Sequence, residues 1–165
     1  MKVILFCQNA YAFGILAPIR DVLLEQGHDF LWYISGKLLD NFPYKNEDYT
    51  VSTLDLQLYK SDAIFVPGNE VPYYVRGLKV QVFHGLAGEK KGHFRIRHYF
   101  DLYLTQGPYF TDKFNELKKI HKNFDVIDCS VCPYLFSQPY LCPISHKRNK
   151  KSCRDHWVCS PHKVP

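Results

Sequence analysis

The chain of 165 residues is 46% hydrophobic and 16% aromatic, with a formal net charge of +5 at pH 7. This length suffices for one domain with a core, and the composition excludes an intrinsically disordered protein. The sequence has no run of about 20 apolar residues, which excludes a membrane-spanning helix. The amino terminus lacks the long apolar region and cleavage site of a signal peptide, so we expect a cytoplasmic protein.

The net charge and the cysteines divide the chain after residue 128. Residues 1–128 hold 15 basic and 15 acidic side chains, whereas residues 129–165 hold six basic side chains and a single acidic one. The same tail carries five of the six cysteines and none of the nine glycines. We therefore predict a domain at residues 1–128 and a Cys/Pro/Lys-rich tail at residues 129–165. Because the charge of the domain is balanced, nucleic acid is not expected as its partner.

The domain begins with a predicted strand, helix and strand. The run KVILFC at residues 2–7 is short and apolar without a period, which indicates a buried strand. ILAPIRDVLLEQGH at residues 15–28 predicts a helix with Pro18 in its first turn and Gly27 at its end. DFLWYIS at residues 29–35 predicts a second strand, and such a unit forms part of a parallel sheet.

Strands and a helix continue through the rest of the domain. Residues 36–61 are less regular, and VSTLDLQLY at residues 51–59 either alternates or forms a helical turn. Further strands are predicted from the runs SDAIFVPGN, KVQVF, RHYFDLYLTQG and NFDVID. PYFTDKFNELKKIH predicts a helix that begins at Pro108 or is capped by Thr111. This alternation predicts an α/β fold with an open, Rossmann-like parallel sheet.

Polar residues follow three of the predicted strands. Asn69 follows FVPG, His84 and Gly85 follow KVQVF, and Gln106 follows YLT. Ligands of open parallel sheets bind outside the carboxyl ends of the strands, so these residues should share one rim. A histidine there can act as a general base near neutral pH, and a glycine lets the backbone approach a ligand.

Ordinary structural roles compete with these interpretations. A histidine after a strand often bonds to backbone, and Asn69 after Pro-Gly is common turn chemistry. Lys90 and Lys91 can neutralise phosphate, but a lysine pair is by default solvated. Arg95, Arg97 and His98 form a basic cluster, which is expected to be a solvated face. The tyrosine pair Tyr73 and Tyr74 is expected to pack. The GxGxxG and GxxxxGK[ST] fingerprints are absent, and no cofactor is expected.

Two blocks of the sequence resemble the amino-terminal half of the CDP-glycerol glycerophosphotransferase family, the teichoic-acid-type polymerases and primases. KVQVFHGLAGEKKG at residues 79–92 resembles the family's strand followed by His-Gly and lysines. RHYFDLYLTQGPYFTDKF at residues 97–114 resembles its strand, small turn and helix, and NFDVI at residues 123–127 resembles the strand before its second domain. The resemblance implies the N-terminal half of a GT-B architecture, which residues 1–61 fit only generically.

The resemblance also implies a reaction and its site. Glycerol phosphate would pass from CDP-glycerol to a hydroxyl of a lipid-linked or polyol-phosphate acceptor, with release of CMP. His84 matches the candidate base for that hydroxyl, and an alcohol becomes a good nucleophile only when a base takes its proton. Gly85, Lys90, Lys91 and Asn69 are then expected to bind acceptor or phosphate. The lipid-linked acceptor of such cell-surface polysaccharide synthesis implies peripheral association with the inner face of the membrane.

In the family, the donor nucleotide binds mainly to a second Rossmann-like domain, which residues 129–165 do not resemble. We therefore expect a truncated transferase that is inactive alone. The N-terminal half of another GT-B glycosyltransferase is an alternative, since the donor-selecting half is missing.

Two interpretations of the tail stay open. Cys129 and Cys132 form a CxxC pair, and Cys153, His156, Cys159 and His162 follow at steps of three residues. Thiolates and imidazoles at such spacings suit tetrahedral zinc, with Cys129, Cys132, Cys153 and Cys159 as the candidate thiolate ligands. The chain would then be a non-enzymatic binding protein with a zinc-stabilised basic tail. The other interpretation is out-of-frame translation, because the tail lacks glycine, glutamate and any periodicity. We favour the second and predict an irregular tail without metal.

Overall fold

The computed structural model of the chain describes residues 1–82 and 94–128. Within them, seven parallel strands form one sheet in the order β3-β2-β1-β4-β5-β6-β7. The elements in chain order are β1 (Lys2–Cys7), α1 (Tyr11–Glu25), β2 (Asp29–Ile34), a 3₁₀ helix (Gly36–Asn41), β3 (Tyr49–Thr50), α2 (Thr53–Tyr59), β4 (Ala63–Val66), β5 (Leu78–Val82), β6 (Leu102–Thr105), α3 (Pro108–Ile120) and β7 (Asp125–Asp128). The predicted α/β fold with a Rossmann-like parallel sheet is confirmed.

Strand β1 lies inside the sheet, between β2 and β4, and this position explains its sequence. Ile4 and Phe6 are buried in the core on one face of the sheet, whereas Val3, Leu5 and Cys7 are buried in the core on the other. A central strand of a parallel sheet is covered on both faces, so every position favours an apolar side chain. This is why the first run of the sequence shows no alternation of polar and apolar residues.

Helices cover both faces of the sheet. On the face that we call the α1 face, Leu16 of α1 is buried in the same core as Trp32 of β2. On the opposite face, the α3 face, Phe114 of α3 stacks on Tyr103 of β6 with ring centroids 4.7 Å apart. Leu56 of α2 is buried in the same α3-face core. Because both faces are covered, access for a ligand is left to the edges where the strands end.

Helix α1 begins earlier than the sequence predicted. It starts at Tyr11, so Pro18 lies inside the helix and the prediction of a proline in the first turn was wrong. Proline has no N–H, and the bond that an ordinary residue 18 would donate to the Gly14 carbonyl is missing. Phe13, in the added turns, is 7% exposed and packs against Trp32 and Phe42. Burial of this first stretch stabilises the helix although it contains a proline.

The other boundaries follow the sequence more closely. Helix α3 begins at Pro108, which occupies a first-turn position, so this alternative is confirmed and the Thr111 cap was wrong. The ambiguous segment 51–59 contains α2, with the Ser52 side chain accepting a hydrogen bond from the Leu54 amide. Strand β3 is an additional strand of two residues. The predictions for residues 129–165 lie outside the described residues.

A loop rather than a helix connects β4 to β5. Residues 67–77 leave the carboxyl end of β4 and return to the amino end of β5, and Val71 and Val75 are buried in the α3-face core. Near the end of this loop, the Ser61 hydroxyl donates a 2.7 Å hydrogen bond to the Arg76 carbonyl. Gly77 has a φ of +107°, and a Cβ there would lie 2.6 Å from the Ser61 carbonyl oxygen. The loop therefore requires glycine where it joins β5 and passes the residues that precede β4.

Within the described residues, no helix is long and apolar enough to cross a membrane.

Candidate functional site

The strand order reverses between β1 and β4. Strand β2 lies on one side of β1 and β4 on the other, so the chain leaves the carboxyl ends of β1 and β4 in opposite directions. Ligands of doubly wound sheets bind in the crevice that such a reversal opens. Gln8 and Asn9 follow β1 at this point, and Gly68 and Asn69 follow β4 after Pro67. We call these four residues, with Gln81 and Gln106 of the adjoining strand ends, the rim.

A buried amide of β5 holds the turn after β4. Gln81 is 4% exposed, and its Nε2 donates to the Gly68 carbonyl at 2.8 Å and to Asn69 Oδ1 at 2.9 Å. Asn69 itself is exposed. Gln81 thus orients an exposed asparagine side chain through its own hydrogen bonds. The structure places Asn69, predicted as a site residue, at the rim, and it adds Gln81, which the sequence analysis did not identify.

Gly68 brings the ends of β1 and β4 close together. A Cβ built at Gly68 would lie 3.3 Å from Gln8 Oε1 and 3.9 Å from Val66. The first distance is tighter than ordinary van der Waals contact, so a larger residue would push Gln8 away from the turn. The glycine therefore allows a second amide side chain to lie beside the Asn69 turn.

The turn between β6 and α3 completes the rim. Thr105 Oγ1 lies 2.7 Å from Thr111 Oγ1 and donates to the Ile127 carbonyl at 3.1 Å. Thr111 Oγ1 in turn lies 3.0 Å from the Gly107 carbonyl, to which it can donate. These hydroxyl groups join β6, β7 and the first turn of α3. Gln106, half-buried in the same turn, is thereby held at the carboxyl edge.

The most important predicted site residue follows β5. Val82, the last residue of β5, pairs with Leu104 of β6, so β5 ends at the same edge of the sheet as the rim. His84, Gly85, Lys90 and Lys91 lie outside the described residues. Their roles stay predictions, and the described structure brings Asn69 alone of the five predicted residues to the rim.

The basic cluster at residues 95–98 has Arg95 and His98 exposed and Arg97 half-buried, and its His98 lies at the opposite edge of the sheet. The His98 ring lies 5.2 Å from the His121 ring, and its Nδ1 is 3.1 Å from Asn123 Nδ2. Both partners follow the carboxyl end of α3, which begins at the rim and runs back to the amino ends of the strands. Asp101, part of the block that resembles the transferase family, is also at the amino edge, where its carboxylate accepts from the Lys79 amide at 2.8 Å. His98 and Asp101 are therefore distant from the rim chemistry and have structural contacts.

The tyrosine pair of the β4–β5 loop differs from its prediction. Tyr73 is 83% exposed, so the expectation that it packs was wrong, and its main ring contact is the Tyr74 ring at 5.5 Å. Pro72 and Val75 form the turn that carries the pair, with the Val75 amide donating to the Pro72 carbonyl at 3.3 Å. The turn directs Tyr73 outward while Val75 stays buried.

Cys7, at the end of β1, is unsuited to act as a nucleophile. Cys7 ends β1, is fully buried, and burial raises the pKa of its thiol well above the usual range. The thiol therefore stays protonated at neutral pH, and a protonated thiol is a poor nucleophile. Among residues 1–82 and 94–128, no group of three or more His, Cys, Asp or Glu side chains could hold a metal ion. The four cysteines of the alternative zinc site lie in the tail, outside those ranges.

The chemistry of the rim is neutral and polar. Its described side chains are the amides of Gln8, Asn9, Asn69, Gln81 and Gln106. Amides both donate and accept hydrogen bonds, which suits a ligand rich in hydroxyl groups. Comparison with known proteins adds no assignment: no family model, curated protein or solved structure matches the chain. The fold and the rim together define an α/β domain with a candidate ligand site at the carboxyl edge of its sheet.

Proposed function

We propose that this domain is the acceptor-binding half of a transferase of the CDP-glycerol glycerophosphotransferase type. The observation that supports it best is the contact between Gln81 and Asn69, which fixes a polar turn beside the end of β5. Two and three residues beyond the end of β5, the sequence carries His84 and Gly85. The proposed site therefore combines a histidine with neutral amides at the edge where parallel sheets bind ligands.

The proposed chemistry assigns a separate task to each kind of residue. His84 accepts the proton of the acceptor hydroxyl while that oxygen forms a bond to the β-phosphorus of CDP-glycerol. The bond from that phosphorus to the CMP oxygen breaks, and CMP leaves with the electron pair. Asn69 and Gln8 orient the acceptor by hydrogen bonds, and Lys90 and Lys91 neutralise phosphate charge.

The proposed reaction would take place at a membrane surface. A lipid-linked or polyol-phosphate acceptor would be presented at the inner face of the membrane, where the domain would associate peripherally from the cytoplasm. CDP-glycerol itself would be bound mainly by a second domain, as the resemblance implies. The same rim would serve sugar transfer in another GT-B enzyme, and the identity of the acceptor distinguishes the two.

Acceptor binding by the chain itself is the direct test. Isothermal titration with a short glycerol phosphate oligomer should give saturable binding, and Asn69→Ala should weaken it about tenfold because one fixed amide is lost. Asn46→Ala is the matched control, since Asn46 is also an exposed asparagine but lies in the loop before β3. Failure to bind the oligomer, or equal weakening by both substitutions, would refute the acceptor assignment. Preference for a neutral glycan would instead favour the sugar transferase.

The role of His84 requires a complete active site. In a fusion of this chain to a donor-binding domain, His84→Ala should lower turnover about 10²- to 10⁴-fold, the usual contribution of a general base. Circular dichroism should show an unchanged fold. Near-normal turnover would remove the catalytic role of His84 while leaving the acceptor-binding test to be judged independently.

A further inference from the structure

The hydrogen bonds that hold Asn69 also fix which end of its side chain faces outward. Gln81 of β5 is buried and lies in register with Val66, the last residue of β4 before the turn. Its Nε2 donates to the Gly68 carbonyl at 2.8 Å and to Asn69 Oδ1 at 2.9 Å. A carboxamide nitrogen carries two hydrogens, and these two bonds use both of them.

The backbone carbonyl of Gly68 determines the orientation of both side-chain amides. A carbonyl can only accept a hydrogen bond, so Gln81 must turn its nitrogen towards Gly68. The same nitrogen faces Asn69, which must therefore present its oxygen. A flip of the Gln81 amide would set two acceptors against each other, and a flip of the Asn69 amide would set two donors against each other. The orientation of Asn69 thus follows from a backbone atom.

The outer end of the Asn69 side chain is consequently a hydrogen-bond donor. Because Oδ1 is directed to Gln81, the two N–H bonds of Nδ2 on the planar amide point away from Gln81. Asn69 is exposed, and no residue in the described ranges 1–82 and 94–128 accepts a hydrogen bond from Nδ2. Two N–H groups of fixed orientation are therefore available to a ligand at the rim.

The fold itself uses only the oxygen of this side chain. An asparagine in a turn commonly bonds to its own backbone two residues further on, whereas Asn69 Oδ1 accepts from a side chain of the neighbouring strand. An aspartate would fill that structural role at least as well, because a carboxylate oxygen is the stronger acceptor. The distinctive part of an asparagine at this position is therefore its nitrogen, which has no structural contact among the described residues.

We propose that Asn69 determines specificity by donating hydrogen bonds to a ligand oxygen that carries no proton, which in a polyol-phosphate acceptor is a phosphodiester oxygen. An anionic oxygen forms the stronger hydrogen bonds with such donors. A hydroxyl group both donates and accepts, so it does not require a partner that can only donate. Glu70, the next residue, is exposed, and water and salt screen its charge. This role of Asn69 rests on the proposed function and specifies which group of the acceptor binds at the turn.

A substitution that keeps the shape of the side chain but removes its donors tests this role. Asn69→Asp replaces the N–H groups by an oxygen and a negative charge, while a carboxylate oxygen can still accept from Gln81. In isothermal titration of the full chain with a short glycerol phosphate oligomer, Asn69→Asp should bind about tenfold more weakly than Asn69→Ala. The difference should shrink in about 0.5 M salt, which screens the repulsion between carboxylate and phosphate. Thermal unfolding should show that both variants fold.

The same change at another exposed asparagine is the matched control. Asn46→Asp adds the same charge in the loop before β3 and should alter the affinity by less than about twofold. If Asn69→Asp binds the oligomer as tightly as Asn69→Ala or more tightly, the ligand donates to residue 69, and the donor role is overturned while the proposed function stands. An equal loss from Asn46→Asp would also overturn the donor role. A wild-type chain that does not bind the oligomer would refute both proposals.

Discussion

Replacement of Gly77 by alanine should strongly destabilise the domain. Gly77 joins the β4–β5 loop to β5 with a φ of +107°, a backbone conformation that L-residues rarely adopt. The added Cβ would lie 2.6 Å from the Ser61 carbonyl oxygen and 2.9 Å from the Asp62 carbonyl carbon. Both contacts are with backbone atoms of the two residues before β4, which cannot rotate away as the end of a flexible side chain can.

The magnitude follows from the strain and from the bonds that relief would break. Holding an L-residue in this region costs about 1 to 3 kcal/mol. Moving the backbone apart would disturb the 2.9 Å bond from the Leu78 amide to the Asp62 carbonyl and the 2.7 Å bond from Ser61 to Arg76. Each bond contributes about 1 kcal/mol, and alanine returns about 0.5 to 1 kcal/mol by restricting the unfolded chain. The expected loss is about 2 to 4 kcal/mol in the free energy of unfolding.

Urea denaturation of the wild type and three glycine variants would measure this loss. Gly27→Ala has a positive φ of +64° but no atom within 4 Å of the added Cβ, so it should cost only the conformational strain, about 1 kcal/mol. Gly14→Ala lies in α1 with open space and should stabilise by up to about 1 kcal/mol. The reasoning is refuted if Gly77→Ala costs no more than Gly27→Ala, because the backbone contact would then have no energetic weight.

Two further predictions concern the site and the core. Gln81→Leu removes two hydrogen bonds and should lower the free energy of unfolding, measured by urea titration, by about 1 to 3 kcal/mol. The same substitution should weaken acceptor binding. An unchanged affinity would show that the Asn69 turn does not depend on Gln81. Burial raises the pKa of Tyr103 to about 12, above the value near 10 of an unfolded tyrosine, so the neutral phenol is favoured by folding. The resulting stability is complete below pH 10 and is lost as the pH rises through 12, and Tyr103→Phe should reduce that alkaline loss by about 2 to 3 kcal/mol. Parallel stability curves for wild type and Tyr103→Phe between these pH values would contradict the assignment.

Apolar runs were sufficient to locate the strands that build the centre of the sheet. A parallel strand covered on both faces must be apolar throughout, and this makes β1, β4 and β5 visible as short runs. Strand β3 has two residues, too few for any pattern to appear. The start of α1 was misplaced because Pro18 was given its commonest helical position, whereas burial of Phe13 carries the helix further towards the amino terminus.

The rim was predictable in part. The rule that strand ends share an edge placed Asn69 correctly, since it needs only the order of the elements. Gln81 carried a usable signal, because an amide inside an otherwise apolar strand must find hydrogen-bond partners. The close approach of Gln8 to Gly68 could not be predicted from the sequence, because these residues are distant along the chain and meet only once the sheet has formed. The exposure of Leu54 and Leu58 in α2 could not be predicted either, because the alternation of leucines in this segment fits a strand as well as a helical turn.

The central place of β1 also has a consequence for synthesis on the ribosome. This strand is made before the other strands of the sheet. Strand β2 can cover one of its edges soon afterwards, but its other edge pairs with β4, where Val3 meets Ala63. A nascent chain that has not reached Ala63 therefore carries an apolar strand with an open side. Such an edge is a template for pairing with other unfinished chains. Slow translation between β2 and β4 should thus promote aggregation of the growing chain, and chaperones that bind nascent chains would be needed most in that interval.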